Sequence, residues 1–244
     1  MPERGRKRAL VTGGTRRLGR AIVEGLAAHA FDVAVHYRSD ESGAREVLDA
    51  LRAAGAEGVA LQADLAEPEA CGRLVEAAED ALGGLDLLVN NAAIFERTPL
   101  DTMNADDFDR HWNANARSVY LLTLDAGRRM KARGRGVVVN IADTAGLRPW
   151  PAFIPYSASK AAVVSLTLGF ARALAPEVRV NAIAPGPMLP PAGTSPEQGE
   201  KAVAGTLLKR WGEPRDIADA VVYLATAPYV TGVVLPVDGG RSLT

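Results

Sequence analysis

The sequence predicts an α/β fold: one doubly wound parallel sheet with helices on both faces, formed as a single domain across residues 1–244. Three observations predict it. Short runs rich in Val, Leu and Ala alternate with longer amphipathic stretches. The short runs lack the in–out alternation of a half-solvated sheet, so both of their faces are buried. A glycine-rich turn follows the first run directly and opens the first helix. Alternating strand and helix give right-handed βαβ units, and ligands of such a sheet bind beyond the carboxyl ends of the strands.

The elements follow in order. "RALVT" (8–12) reads as a strand and "RLGRAIVEGLAAHA" (17–30) as a helix. "DVAVHY" (32–37) is the second strand, "SGAREVLDALRAAG" (42–55) the second helix and "GVALQAD" (58–64) the third strand. "LDLLVNNA" (85–92), "GVVVNIA" (136–142) and "VRVNAIAP" (178–185) are further strands, with helical patterns between them. The last helices are 152–175 and 213–226, and "VVLPVDGG" (233–240) closes the sheet. The Pro-rich segment at 185–198 reads as part of a loop over the substrate, about 187–206, whose Pro and Gly content limits regular structure.

Composition narrows the function. A formal charge of −1 points to no polyanionic partner and no nucleic acid; Arg4, Arg6, Lys7 and Arg8 read as a solvated flank ahead of the first strand. The single cysteine, Cys71, excludes an intrachain disulfide and fits the reducing cytoplasm; its expected role is helix packing. His29, His36 and His111 lack metal-ligand spacing, so no metal is expected. No apolar run is long enough to span a membrane, and no signal-peptide pattern opens the chain.

Residues that carry chemistry fall just after the strands. In "TGGTRRLGR" (12–20), glycines 13, 14 and 19 permit a tight turn and close backbone approach, and the helix start supplies N–H donors for a pyrophosphate. This makes Gly13, Leu18 and Gly19 candidate cofactor contacts, in the manner of a Rossmann fold. Arg17 stands where a further glycine is usual and can pair with a phosphate. The second strand ends in His36, Tyr37, Arg38 and Ser39, without the acid that usually holds ribose hydroxyls. Arg38 and Ser39, with Arg17, suit a 2′-phosphate, so the expected cofactor is NADPH. Asp40 is expected to start the second helix. Asp64 can take a bond from an adenine amine or cap a helix, and Leu65, Pro185 and Gly186 sit at further strand ends on the same edge.

Tyr156 and Lys160 are four apart on a helical stretch and so share a face. A phenol has a pKa of about 10, and a nearby ammonium lowers it, which makes the pair a proton donor suited to hydride chemistry. Taken with "VNNAA", "NAN" (113–115), "YSASK", "VNAIAPGP" and "VDGG", the chain resembles the short-chain dehydrogenases/reductases along essentially its whole length. The resemblance implies that Asn115, Tyr156 and Lys160 are catalytic, that Lys160 also holds the nicotinamide ribose, and that Asn91 and Ala92 line the cofactor. It also implies a homotetramer, through the C-terminal "VTGVVLPVDGGRSLT".

The family's serine is absent: thirteen residues before the tyrosine stands Asp143. An ionised carboxylate cannot donate a hydrogen bond to a substrate carbonyl. Pteridine reductases, a branch of the family, are similar here in Arg17, in "HYR-S", in Asp143 and in an aromatic residue after "NNA", matched by Phe95; their pterin-side serine is Ala93 in this chain. The leading expectation is therefore an NADPH-dependent pteridine reductase. Asp143, Tyr156 and Lys160 would relay the proton, and Phe95, Asp143 and Tyr156 would hold a flat heterocycle. The competing enzyme reading is a reductase of 3-oxoacyl thioesters or other carbonyls. A third reading, an NADP-binding sensor without turnover, predicts loss of Tyr156 or Lys160, and both are present.

Overall fold

A computed structural model of the chain describes residues 5–190 and 195–244. Seven parallel strands form one sheet: β1 (Lys7–Val11), β2 (Phe31–Tyr37), β3 (Gly58–Gln62), β4 (Leu87–Asn90), β5 (Gly136–Ile141), β6 (Val178–Pro185) and β7 (Val234–Val237). Their spatial order is β3-β2-β1-β4-β5-β6-β7. In register, Ala9 of β1 stands between Val33 of β2 and Leu87 of β4. The chain reverses direction of winding between β1 and β4, which opens a crevice at the carboxyl edge.

Alternate residues of each strand feed opposite cores. Ala9, Val11, Val33 and Val35 pack with Ile22, Val23 and Leu26 of α1 (Arg17–Ala28), with α2 (Glu41–Ala53) behind them. Leu10, Ala34, Leu88 and Val138 pack on the other face, against α3 (Pro68–Leu82) and other helices. On that face α4 (Ala105–His111) runs through one π-turn, Trp112–Arg117, into α5 (Ser118–Ala132). The long α6 (Ile154–Leu174) lies beside α5, entered through a short 3₁₀ turn at Pro151–Phe153. Asp40 accepts from Gly43 N–H at 3.3 Å and caps α2 as expected, an interaction worth about 1 kcal/mol. Cys71 is buried on α3, and burial pushes its thiol up to about 11, which leaves it a packing residue.

Two expectations are corrected. Arg6 is not a solvated flank: it donates to Asp32 at 2.8 Å and to the carbonyls of Ala27 and Phe31, and Lys7 already belongs to β1; Arg4 lies outside the described residues. The 187–206 segment is not without regular structure. It contains α7 (Pro196–Ala204), in which proline occupies the first turn, where its missing N–H costs nothing. Residues 191–194 of that segment lie outside the described residues. The last helix, α8 (Pro214–Thr226), packs across α1.

Candidate active site

A cleft of about 810 Å³ runs along the carboxyl edge, within the usual range for a small-molecule site. It is lined by every expected cofactor residue, Gly13, Arg17, Leu18, Gly19, His36, Tyr37, Arg38, Ser39, Asp64, Leu65, Asn91, Ala92, Pro185 and Gly186, together with Phe95, Asp143, Tyr156 and Lys160. Of the expected site residues, only Asn115 stands behind the wall.

The turn after β1 is a cradle that side chains would fill. A methyl on Gly19 would lie 1.9 Å from the Gly13 carbonyl oxygen, and Gly13 itself has φ +62°. The cradle is tied to β4 by a residue that sequence reasoning missed. Thr12 Oγ1 accepts from Asn91 N–H at 2.9 Å and from Ala92 N–H at 3.0 Å, while Asn91 Nδ2 donates to the carbonyls of Thr12 and Gly13. Only its place just before the glycines hinted at this. Thr12→Val removes an acceptor from two amides in a partly closed crevice. We expect a loss of about 1–3 kcal/mol in denaturant unfolding and weaker dinucleotide binding, whereas Thr12→Ser retains both.

His36 lines the cleft, but both ring nitrogens are committed to the protein. Nδ1 accepts from Gly13 N–H at 3.1 Å, and Nε2 lies 3.1 Å from the Ala63 carbonyl, to which it donates. Burial holds its pKa below the ordinary value, so the ring is a neutral strut between the cradle and the end of β3. Asp64 accepts from Ala66 N–H at 2.9 Å and closes a turn ahead of α3; Glu67, not Asp64, is the residue that precedes that helix. Arg17 takes φ +50° and reaches across the crevice, donating to the Leu189 carbonyl at 2.9 Å. Gly186 passes so close to Asp238 that a methyl would meet its Cα at 2.5 Å.

The reacting groups converge where β5 ends and α6 begins. Tyr156 Oη donates to Asp143 Oδ2 at 2.7 Å. Asp143 Oδ1 accepts from Ala145 N–H at 2.7 Å, so the acid is held by the 3₁₀ turn Thr144–Gly146. Lys160 is buried; its Nζ donates to the Ile141 carbonyl at 2.8 Å and lies 5.8 Å from the centre of the Tyr156 ring. Desolvation dominates all three groups. Burial lowers Lys160 to about 8 against the pull of Asp143, and burial raises Asp143 above the usual carboxylate range despite its hydrogen bonds. The expected lowering of the Tyr156 pKa is reversed. Burial first, and then the adjoining carboxylate, raise it well above 10, so Tyr156 is held as a phenol.

Asn115 is fully buried in the π-turn. Its Oδ1 accepts from Ile94 N–H at 2.8 Å, and its Nδ2 donates to the Ile94 carbonyl and to Ser159 Oγ. The side chain therefore fixes the segment after β4 that carries Phe95. Phe95 stacks on Phe153 at 4.7 Å with rings nearly parallel, and meets Tyr156 edge-on at 4.8 Å. Trp150, which sequence reasoning also missed, completes this aromatic wall. The signal for it is the spacing of Trp150, Phe153 and Tyr156 ahead of and into α6.

Comparison with known proteins agrees with this geometry. A family model described as enoyl-(acyl carrier protein) reductase matches residues 13–242. The chain is 37% identical to a 3beta-hydroxysteroid dehydrogenase of Eggerthella lenta, covering 97% of this chain and 94% of that protein. It is 35% identical to a 3-oxoacyl-[acyl-carrier-protein] reductase of Synechocystis, covering 95% of each. A blue fluorescent protein from a metagenomic library, solved in complex with NADPH, superposes with a TM-score of 0.90 at 38% identity over 98% of both chains. A parallel sheet with a glycine cradle after β1 and a Tyr–Lys pair on α6 defines a nicotinamide-dependent oxidoreductase. The chain belongs to the short-chain dehydrogenase/reductase family.

Proposed function

We propose that the chain is an NADPH-dependent reductase of a small carbonyl compound, in which Tyr156 protonates the substrate oxygen. The names of its relatives support a carbonyl substrate, 3-oxoacyl thioesters among them. The cradle at Gly13–Gly19 suits a pyrophosphate, and Arg38 and Ser39 suit a 2′-phosphate. Bound NADPH supplies the hydride.

One observation carries the proton chemistry: the 2.7 Å bond between Tyr156 and Asp143. Burial favours the neutral form of Asp143, and a carboxylic acid, unlike a carboxylate, can donate. As Tyr156 gives its proton to the substrate, Asp143 returns one to Tyr156 across that bond. An aspartate in the serine's place is thus compatible with a ketone, which ionised Asp143 would not be. The relay is loaded at low pH and empties as pH rises through the raised pKa of Asp143. We expect kcat to fall along that limb in the wild type, and Asp143→Ser to abolish the limb while keeping activity. Superimposable pH profiles for the two proteins would rule the relay out. The same sign governs stability: what neutral Asp143 contributes is present below its unfolded pKa and lost as pH rises through the folded one.

A second reading, reduction of a dihydropterin C=N bond, is favoured by the same Asp143–Tyr156 pair and by Phe95 in the cleft wall. There the proton goes to a ring nitrogen, and Asp143 as a carboxylate accepts from the heterocycle's N–H edge. Purified protein decides between them by loss of NADPH absorbance with an acetoacetyl thioester or with 7,8-dihydropterin. Turnover of the thioester alone supports the carbonyl reading, and turnover of the pterin alone replaces it.

A further inference from the structure

We propose that Arg241 is the substrate's anion anchor, so that the natural substrate carries a carboxylate or phosphate remote from the group being reduced. The proposal rests on the reductase reading and adds the substrate's charge to it.

The position of Arg241 singles it out. It follows β7, on the same side of the crevice as the end of β5, which Asp143 follows, and α6, which carries Tyr156. Arg38 follows β2, on the opposite side, and Arg17 is engaged by the Leu189 carbonyl. Arg16, the other arginine of the cleft, is paired with Asp40 at 3.0 Å. Arg241 lines the same cleft as Phe95, Trp150 and Trp211, is half-buried, and among the described residues its guanidinium has no carboxylate or carbonyl partner. A cleft-wall guanidinium without a protein acceptor keeps its donors available to the anionic end of a ligand.

The surroundings are built to hold it there. Asp238 accepts from Gly240 N–H at 2.8 Å and from Ser242 N–H at 2.7 Å, which clamps the 3₁₀ turn Arg241–Leu243. Arg148 donates to the backbone oxygens of Ser242 and Thr244 and fixes the other end of that turn. Gly205 makes room for the guanidinium: a methyl there would lie 1.1 Å from Arg241 Nη1. The side chain is thus seated against the segment after α7, in the same cleft as Tyr156 and the aromatic wall. A ligand matching this has a reducible carbon at one end, an apolar middle and an acid at the other.

The test uses matched pairs that differ only in the distal acid: a long-chain ω-carboxy methyl ketone and its methyl ester, and a dihydropterin bearing an ω-carboxyalkyl chain at C6 and its methyl ester. A phosphonate analogue of the acid distinguishes carboxylate from phosphate recognition. Each is measured with wild type, Arg241→Gln and Arg241→Lys. Arg241→Gln should lose about tenfold or more in kcat/KM for the acid, through KM, and leave the uncharged partner unchanged; Arg241→Lys should recover part of the loss. Thermal unfolding and NADPH binding like the wild type's certify that the variant folds. Equal losses on acid and uncharged partner, or no loss on either, overturn the anchor. If neither pair supports NADPH oxidation in the wild type, the substrate reading fails instead. The anchor is then read by calorimetry of the same acids on the NADP⁺ complex: tighter binding to wild type than to Arg241→Gln upholds it, and equal binding overturns it.

Discussion

Tyr156→Phe is expected to lower kcat by about 10²–10⁴, the usual worth of a positioned general acid, while NADPH affinity stays at the wild-type value. The reasoning is local. The hydroxyl is the only difference, and its recorded partner is Asp143, not the glycine cradle. Without it, Asp143 Oδ2 loses its donor, while burial still holds the acid above the usual carboxylate range and Ala145 N–H still seats it. The site therefore keeps its shape and loses its proton. Steady-state rates and a fluorescence titration with NADPH check the two halves separately. A rate within tenfold of the wild type would mean that water or Asp143 protonates the substrate directly.

Gly19→Ala should have the largest effect on cofactor binding. The added methyl would meet the Gly13 carbonyl oxygen at 1.9 Å and Asn91 Nδ2 at 2.8 Å. The first is backbone, so the cradle itself must move, and with it the bond by which Asn91 holds Gly13. We expect about a hundredfold weaker NADPH binding and a stability loss of about 3 kcal/mol, the upper part of the usual range for overpacking. Gly72→Ala is the control. Nothing lies within 4 Å of its new methyl, and on α3 the change should stabilise by about 0.5–1 kcal/mol. Comparable NADPH affinity in Gly19→Ala and the wild type would show that the dinucleotide lies elsewhere.

The strands and the cradle were legible because they depend on local pattern. Leu10 and Val89 are buried in opposite cores, so the strands carry no polar alternation, and the glycines sit immediately after β1. The Tyr156–Lys160 pair was legible because helical spacing alone puts both on one face. What stayed hidden depends on segments distant in sequence. The Tyr156–Asp143 bond requires the end of β5 to meet the start of α6. The upward shifts of Asp143 and Tyr156 are products of burial, which no spacing reports. The roles of Thr12 and His36 arise from β1 lying beside β4 and β2, and a threonine or histidine at a strand end has no local mark of such use. Helix α7 was masked by its own composition, since prolines that begin a helix look like prolines that forbid one.

The strand order has a consequence for how the chain is made. β1 is synthesised before the other strands described and ends in the interior of the sheet, yet one of its two neighbours, Leu87–Asn90, follows only after β2, α2, β3 and α3. Until then the nascent chain presents Ala9–Val11, apolar and unpaired along one side, as an open edge. Arrest or cleavage before residue 87 therefore yields a fragment primed to pair with another copy of itself. Native assembly waits on contacts between distant parts of the chain, as is general for parallel sheets.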